Sequence, residues 1–378
     1  MPDVLVFGDT IRSAELRHEV PLAIPDPFLY VEQNGSRTVV ISSLELARVR
    51  RLEGLEVIPH EEAGEDELIA AGVPREEITT RVSVRACKQL GVGSAVCPPT
   101  FPLELADLLR DEGIEVHADR GFFAARRRVK NAVELEGIRR AQRAAEAAMD
   151  AVRDLLRGAD ASDSILFLAG EPLTCERLKR KVGEVLIEHD MTTDEFIVSH
   201  GPQSAVGHEM GHGVVAPGEP IVVDLWPRDR ETACFADMTR TYVVGDPPDE
   251  LVQYHRLVLE ALQQANAALK AGAGGRELFV QTCELFEAQG YPTGLTKEPG
   301  AVLEEGFFHG LGHGVGLEVH EEPNMGPASR ATLVAGDVVT VEPGLYRPGF
   351  GGCRLEDLLL VTEDGAENLT DYPYDLTP

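Results

Sequence analysis

The chain has 378 residues, enough for two domains with real cores, and its 43% hydrophobic and 26% charged content is that of a globular protein. A formal net charge of −29 excludes the basic face that a nucleic-acid backbone needs and disfavours an anionic membrane surface. The six cysteines are scattered with no CxxC pair, the N-terminus lacks the apolar core of a signal peptide, and no run reaches the roughly 18 apolar residues of a membrane helix, so a reduced, cytoplasmic protein is expected.

In chain order, FLYVE and RTVVIS flank Gln33-Asn34-Gly35-Ser36, which reads as a β-hairpin turning at Asn-Gly. SLELARVRRLEG reads as an amphipathic helix ending at Gly54. EVIPH, SAVCP and IEVHAD are short strand candidates, with helical patterns such as PLELADLLRDEG between them. The alternation predicts a small N-terminal α/β domain over residues 1–127. His60 and His117 stand singly there and read as structural or solvated.

Near residue 127 the texture changes. RRRVKNAVELEGIRRAQRAAEAAMDAVRDLLRG is apolar at three- and four-residue spacings, the mark of a long helix. Asn131 is its candidate N-cap, Glu134 stands where a capping box wants it, and Gly158 is its stop. A second domain, 128–378, follows. EFIVSHG, EPIVVDLWP, CFADMTRTYVVG, VVTVEPGLY and LEDLLLVTED read as strands, and LVQYHRLVLEALQQANAALKAG and RELFVQTCELFEAQG as helices.

Acids interrupt those strands: Asp224, Asp237, Glu342 and Glu356. An acid in a run fit for burial is costly unless it is paired or metal-bound. Beside them lies HGLGHGVGLEVHEEP, with His309, His313 and His320 on a glycine-rich backbone. Four carboxylates and one imidazole form a hard, oxygen-rich set suited to a pair of divalent ions such as Mn, Co or Zn. Two such ions can share an activated water. Trp226, the only tryptophan, reads as core packing; His189 and His255 read as solvated; Glu321 and Glu322 read as an electrostatic shell and surface turn.

These motifs, in this order over roughly residues 127–370, resemble the pita-bread metallopeptidases: aminopeptidase P, prolidase and, more distantly, methionine aminopeptidase. The presence of an N-terminal α/β domain favours the proline-specific branch. The resemblance implies a dinuclear centre held by Asp224, Asp237 in DMTRT, His313 in HGLGHG, Glu342 in TVEPG and Glu356 in RLED. It implies catalytic roles for His208 and His320, and for Glu342 as proton carrier to and from a hydroxide bridging the metals. His208 is preferred over His212 on spacing, although Gly207 stands where the family usually has proline. His309 and Arg354 are the candidate substrate-side residues, Arg354 also being suited to fixing carboxylates around the metals. The implied substrate is a proline-containing peptide cut at the bond before proline, and the implied assembly a homodimer.

Two departures stand out. Asp224 and Asp237 are thirteen residues apart where the family has eleven, and Cys234 replaces a usual tyrosine, which points to a reduced rate or altered metal preference. The alternatives are a creatinase-like hydrolase, against which the complete ligand set counts, and a catalytically silent binding protein on the same fold.

Overall fold

The computed structural model describes residues 2–162 and 164–378. The chain divides into two compact units, Met1–Arg127 and Arg128–Pro378.

The first unit is a six-stranded mixed sheet in the spatial order Glu56–Pro59, Ser36–Ile41, Phe28–Gln33, Asp3–Gly8, Ser94–Cys97, Glu115–Ala118. Its central strands carry continuous apolar runs, VLVF, FLYV and VVI, and successive side chains point to opposite sides, so the sheet has two dry faces. Val4, Val6, Phe28, Tyr30 and Val39 point to one face with Leu16, Val20 and Phe123. Leu5, Leu29, Val31 and Val40 point to the other with Val82, Ala86, Leu105 and Leu109. The Asn-Gly hairpin forms as expected: Gln33 pairs with Ser36, and both turn residues have positive φ, 49° and 83°. The stretch around Leu46 does not make one helix. It makes a 3₁₀ turn, Ser43–Glu45, and a single α-helical turn, Leu46–Val49. Only Val49 there is buried, too small a face to hold a longer helix in place.

In the second unit the long helix runs Ala132–Arg157, between the expected cap at Asn131 and the expected stop at Gly158, and the stretch before it, Arg120–Arg128, is a helix of its own. The capping box is present: the Asn131 side chain accepts from the Val133 and Glu134 amides, and Glu134 accepts from the Asn131 amide. Two antiparallel sheets carry the site. One is Ile197–His200, Ile221–Leu225, Met238–Tyr242. The other is Glu321–Met325, Gly312–Gly314, Val338–Val341, Asp357–Val361, Ala366–Asn368. An antiparallel bridge from Thr239 to Glu356 joins them. Helices Asp249–Ala268 and Gly275–Ala288 back the second sheet through a core that includes Leu257, Leu262, Phe279, Phe286 and Phe307. No helix among the described residues is long and apolar enough to cross a membrane.

Candidate metal centre and active site

A cavity of about 660 Å³ opens over the junction of the two sheets. Every site residue expected from the sequence lines it: His208, Asp224, Asp237, His309, His313, His320, Glu342, Arg354 and Glu356. Strand geometry explains the convergence. Asp224 pairs with Thr239 in register, so Asp237 stands just beyond the edge of that pairing. Thr239 bridges to Glu356, which lies next to the strand that pairs with Val338–Val341, and Glu342 follows directly. The His313 amide donates to Thr340 Oγ1 at 3.1 Å, which ties its strand to the one before Glu342.

Ligand atoms of Asp237, His313 and Glu356 lie within 4.8 Å of one another. His313 Nε2 is 3.8 Å from Asp237 and 3.6 Å from Glu342. Its Nδ1 faces the Gly314 carbonyl at 3.2 Å, so the N–H belongs there and the Nε2 lone pair faces the carboxylates. Burial, then the neighbouring His320, depresses His313 to about 3, which keeps the imidazole neutral, the form that binds metal. Burial and mutual repulsion drive Asp237 and Glu356 well above the ordinary carboxylate range. Glu342 is raised to about 8, chiefly by burial, with Arg354 opposing. Asp224 Oδ1 and Asp237 Oδ1 are buried without a hydrogen-bond partner. Buried polar atoms are rarely left so. Crowded acids, orphaned oxygens and an oriented neutral imidazole fit divalent cations.

Around this set, the RLED and DMTRT motifs act as brackets. Arg354 donates to Asp224 Oδ2 at 2.5 Å, to the Tyr346 hydroxyl at 2.9 Å and to Thr239 Oγ1 at 3.4 Å. Thr239 donates to Glu356 Oε2 at 2.7 Å. The buried Arg240 donates to the carbonyls of Thr239, Glu356, Tyr372 and Pro373 and to the Asp357 carboxylate. His309 both lines the cavity and is tied to the protein: Nδ1 donates to the Gly310 carbonyl at 2.8 Å, and Nε2 accepts from Tyr346 at 2.9 Å.

The longer hairpin leaves both aspartates in place. Its extra length folds into a turn closed by the Asp229 amide to the Cys234 carbonyl and the Ala233 amide to the Asp229 carbonyl, both 2.8 Å. Asp229 also accepts from Thr232 and pairs with Arg140. Cys234 is fully buried and does not line the cavity; burial pushes its thiol up to about 12, so it offers neither a ligand nor a nucleophile. His208 lines the cavity, and His212 does not; the His212 backbone is clamped by the Gln203 amide at 2.9 and 3.0 Å.

Three expectations need correction. Trp226 lies on the cavity wall with Phe308, Met210 and Val206, half-buried, because it follows Asp224 on the rim of the same strand. His255 is not solvated: it contacts the Tyr374 carbonyl at 2.7 Å, and burial lowers its pKa. Glu321 is not a surface acid: its side chain is 3% exposed and paired with Lys130. Tyr346 is the site residue the sequence reading missed. Its place beside Gly344 in a strand paired with Gly351–Arg354 was the available signal, since a two-strand ribbon puts it opposite the arginine's neighbourhood.

Known proteins place the fold. Residues 136–363, more than half of the chain, match the model of metallopeptidase family M24. An Xaa-Pro dipeptidase of Pyrococcus furiosus is 32% identical over 222 residues, 57% of this chain and 60% of that relative, so the chain spans about three fifths of the relative's length. Two solved structures share the fold at 23% identity. An Xaa-Pro dipeptidase from Bacillus anthracis superposes with a TM-score of 0.80 over 100% of this chain and 94% of its own. An X-Pro aminopeptidase from Thermotoga maritima superposes with 0.79 over 99% and 97%. The pita-bread architecture is therefore present, and the chain belongs to metallopeptidase family M24.

Proposed function

We propose that this protein is a dinuclear-metal peptidase that hydrolyses the bond preceding proline. One observation carries the reading: a single cavity gathers four carboxylates and His313, two of the carboxylate oxygens buried without partners, beside an apolar wall of Trp226, Phe308 and Val206. Asp224, Asp237, His313, Glu342 and Glu356 would hold two ions of Mn, Co or Zn. Bound there, the ions supply a Lewis acid that lowers the pKa of water and polarises the scissile carbonyl. Glu342 takes the proton from the attacking water and returns it to the leaving proline nitrogen. His208 and His320, on the cavity wall, donate to the oxygen that gains charge. Arg354 and Tyr346 hold Asp224 and His309 in place. The six cysteines are free and buried, which supports a reducing, cytoplasmic setting; a homodimer is part of the same proposal.

Between the two proline-specific activities, one observation favours the aminopeptidase. A dipeptidase needs a cation for the substrate carboxylate. Arg354 is the only arginine or lysine among the lining residues, and its three nitrogens are bonded to Asp224, Tyr346 and Thr239. Arg347, near the end of the Glu342 segment, pairs with Glu250, and neither it nor Arg330 lines the cavity. Product analysis of metal-loaded protein on an Xaa-Pro dipeptide and an Xaa-Pro-Yaa tripeptide tests this. Release of Xaa from the tripeptide is expected. Cleavage of the dipeptide alone makes it a prolidase, and cleavage of neither with metal bound supports the silent binding protein.

The two nearby histidines separate cleanly in this reading. His208→Ala is expected to lower kcat by about 100-fold, the size of a lost general acid–base or oxyanion contact, with metal content unchanged. His212→Ala is expected to leave kcat within about twofold, since only its backbone is engaged. Equal effects in steady-state assays of the two variants would exclude the assignment.

A further inference from the structure

His320 is held unlike His309 and His313, the two other histidines of the same glycine-rich stretch. His309 has both ring nitrogens bonded and His313 has one, whereas the His320 ring makes no hydrogen bond among the described residues and only meets the His313 ring at 4.3 Å. Its aim into the cavity is therefore set by its backbone. The next residue, Glu321, begins a strand, pairs with Gly314 across a register shift, and turns its carboxylate inward to Lys130. Both side chains of that pair are only 3% exposed. A buried ion pair gains little stability over apolar residues of similar size, so stability alone gives this pair no role here.

The pair is built in from both ends. Lys130 sits directly before the N-cap of the long helix, and its amide donates to the Gly336 carbonyl. Two residues earlier, Arg128 grips Asp337 through two bonds of 2.9 and 2.6 Å. On the other side, the loop before His320 passes over the pair at Gly316. A Cβ there would lie 2.7 Å from the Glu321 carboxylate and 2.9 Å from the Lys130 ammonium. The Phe235 amide pins the same loop by donating to the Gly316 carbonyl at 2.8 Å.

We propose that Lys130 is a positioning residue for His320: its ammonium fixes Glu321, and through that neighbouring residue the backbone that directs the imidazole into the cavity. The inference rests on the peptidase reading for its kinetic consequence and on geometry alone for its structural one. Small displacements of a catalytic group cost up to about 100-fold in rate, so a loss of at least about tenfold is expected here.

The test compares wild type, Lys130→Met, Lys130→Arg and the double variant Lys130→Met/Glu321→Leu. Each is followed by tripeptide kinetics, metal content and NMR of ¹³Cε1-labelled histidine, with the His320 signal assigned from His320→Gln. Removing both charges restores a foldable core even where the single variant does not fold. The double variant is expected to keep its metal and KM but lose about tenfold or more in kcat, with the His320 resonance moved and that of His309 unchanged, and Lys130→Arg to recover most of the activity. A double variant with wild-type kcat and an unmoved His320 resonance overturns the proposal and leaves the pair a packing element. If wild type cleaves no peptide, the peptidase reading fails by itself, and the His320 resonance still decides whether Lys130 positions the ring.

Discussion

Asp237→Asn is expected to remove metal binding and lower peptide hydrolysis by more than about 100-fold, the upper range for losing a mere outer partner of a metal ligand. The same substitution is expected to leave the metal-free protein as stable as wild type, or more stable. The reason is electrostatic. Asp237 is 5% exposed, and its proton affinity is raised by burial and by Glu356, Asp224 and Glu342 around it. Without cations these carboxylates repel one another in a medium that screens poorly. Glu342 sits at about 8 in the fold against an ordinary 4.5. A carboxyl that binds its proton more tightly when folded contributes its full stabilisation below the unfolded value and loses it as pH rises through the folded value. Metal-free wild type is therefore expected to lose stability between about pH 4.5 and about 8, Asp237→Asn to lose less, and added divalent ion to remove the loss. Thermal melts with and without chelator across that range check it. Melting that rises with pH over the same interval in the metal-free protein would contradict the burial of this cluster.

Arg240→Met is expected to cost about 3–5 kcal/mol of stability, the range for stripping one partner from a buried ion pair. Arg240 is 1% exposed and its partner Asp357 is 0% exposed. The guanidinium also serves four backbone carbonyls, one of them at Glu356 and two in the closing segment at Tyr372 and Pro373, and it lies 4.6 Å from the Tyr374 ring centre. The arginine of DMTRT thus ties the C-terminal segment under the site and holds the backbone of Glu356, a proposed metal ligand. Metal affinity is expected to fall together with the denaturation midpoint. A midpoint shift worth less than about 1 kcal/mol would show that the other donors to Asp357, from Asn266, Asn368 and Tyr374, suffice.

What could be read from the sequence divides along physical lines. The Asn34-Gly35 turn and the Asn131–Glu134 capping box were legible because each closes over a few residues and needs particular side chains. The cluster of acids in the cavity was legible because acids in buried strands have few other uses, and the ordered motifs named the histidines and arginine gathered beside them. The Ser43–Val49 region misled because helical spacing says nothing of whether a face will find a core. Tyr346, His255 and the Lys130–Glu321 pair were hidden for a different reason. Each owes its role to a partner distant in sequence: Tyr346 to His309, His255 to Tyr374, Glu321 to a residue 191 positions away. No local pattern encodes such a pairing.

Titration of metal-free protein with Mn²⁺, following bound metal and tripeptide cleavage in the same samples, tests the dinuclear peptidase most directly. Activity that climbs with metal to a plateau near two ions per chain, and is absent in Asp237→Asn, is the expected result. Two bound ions with no cleavage of tripeptide or dipeptide would contradict it and make this fold a binding protein that has kept its ligands.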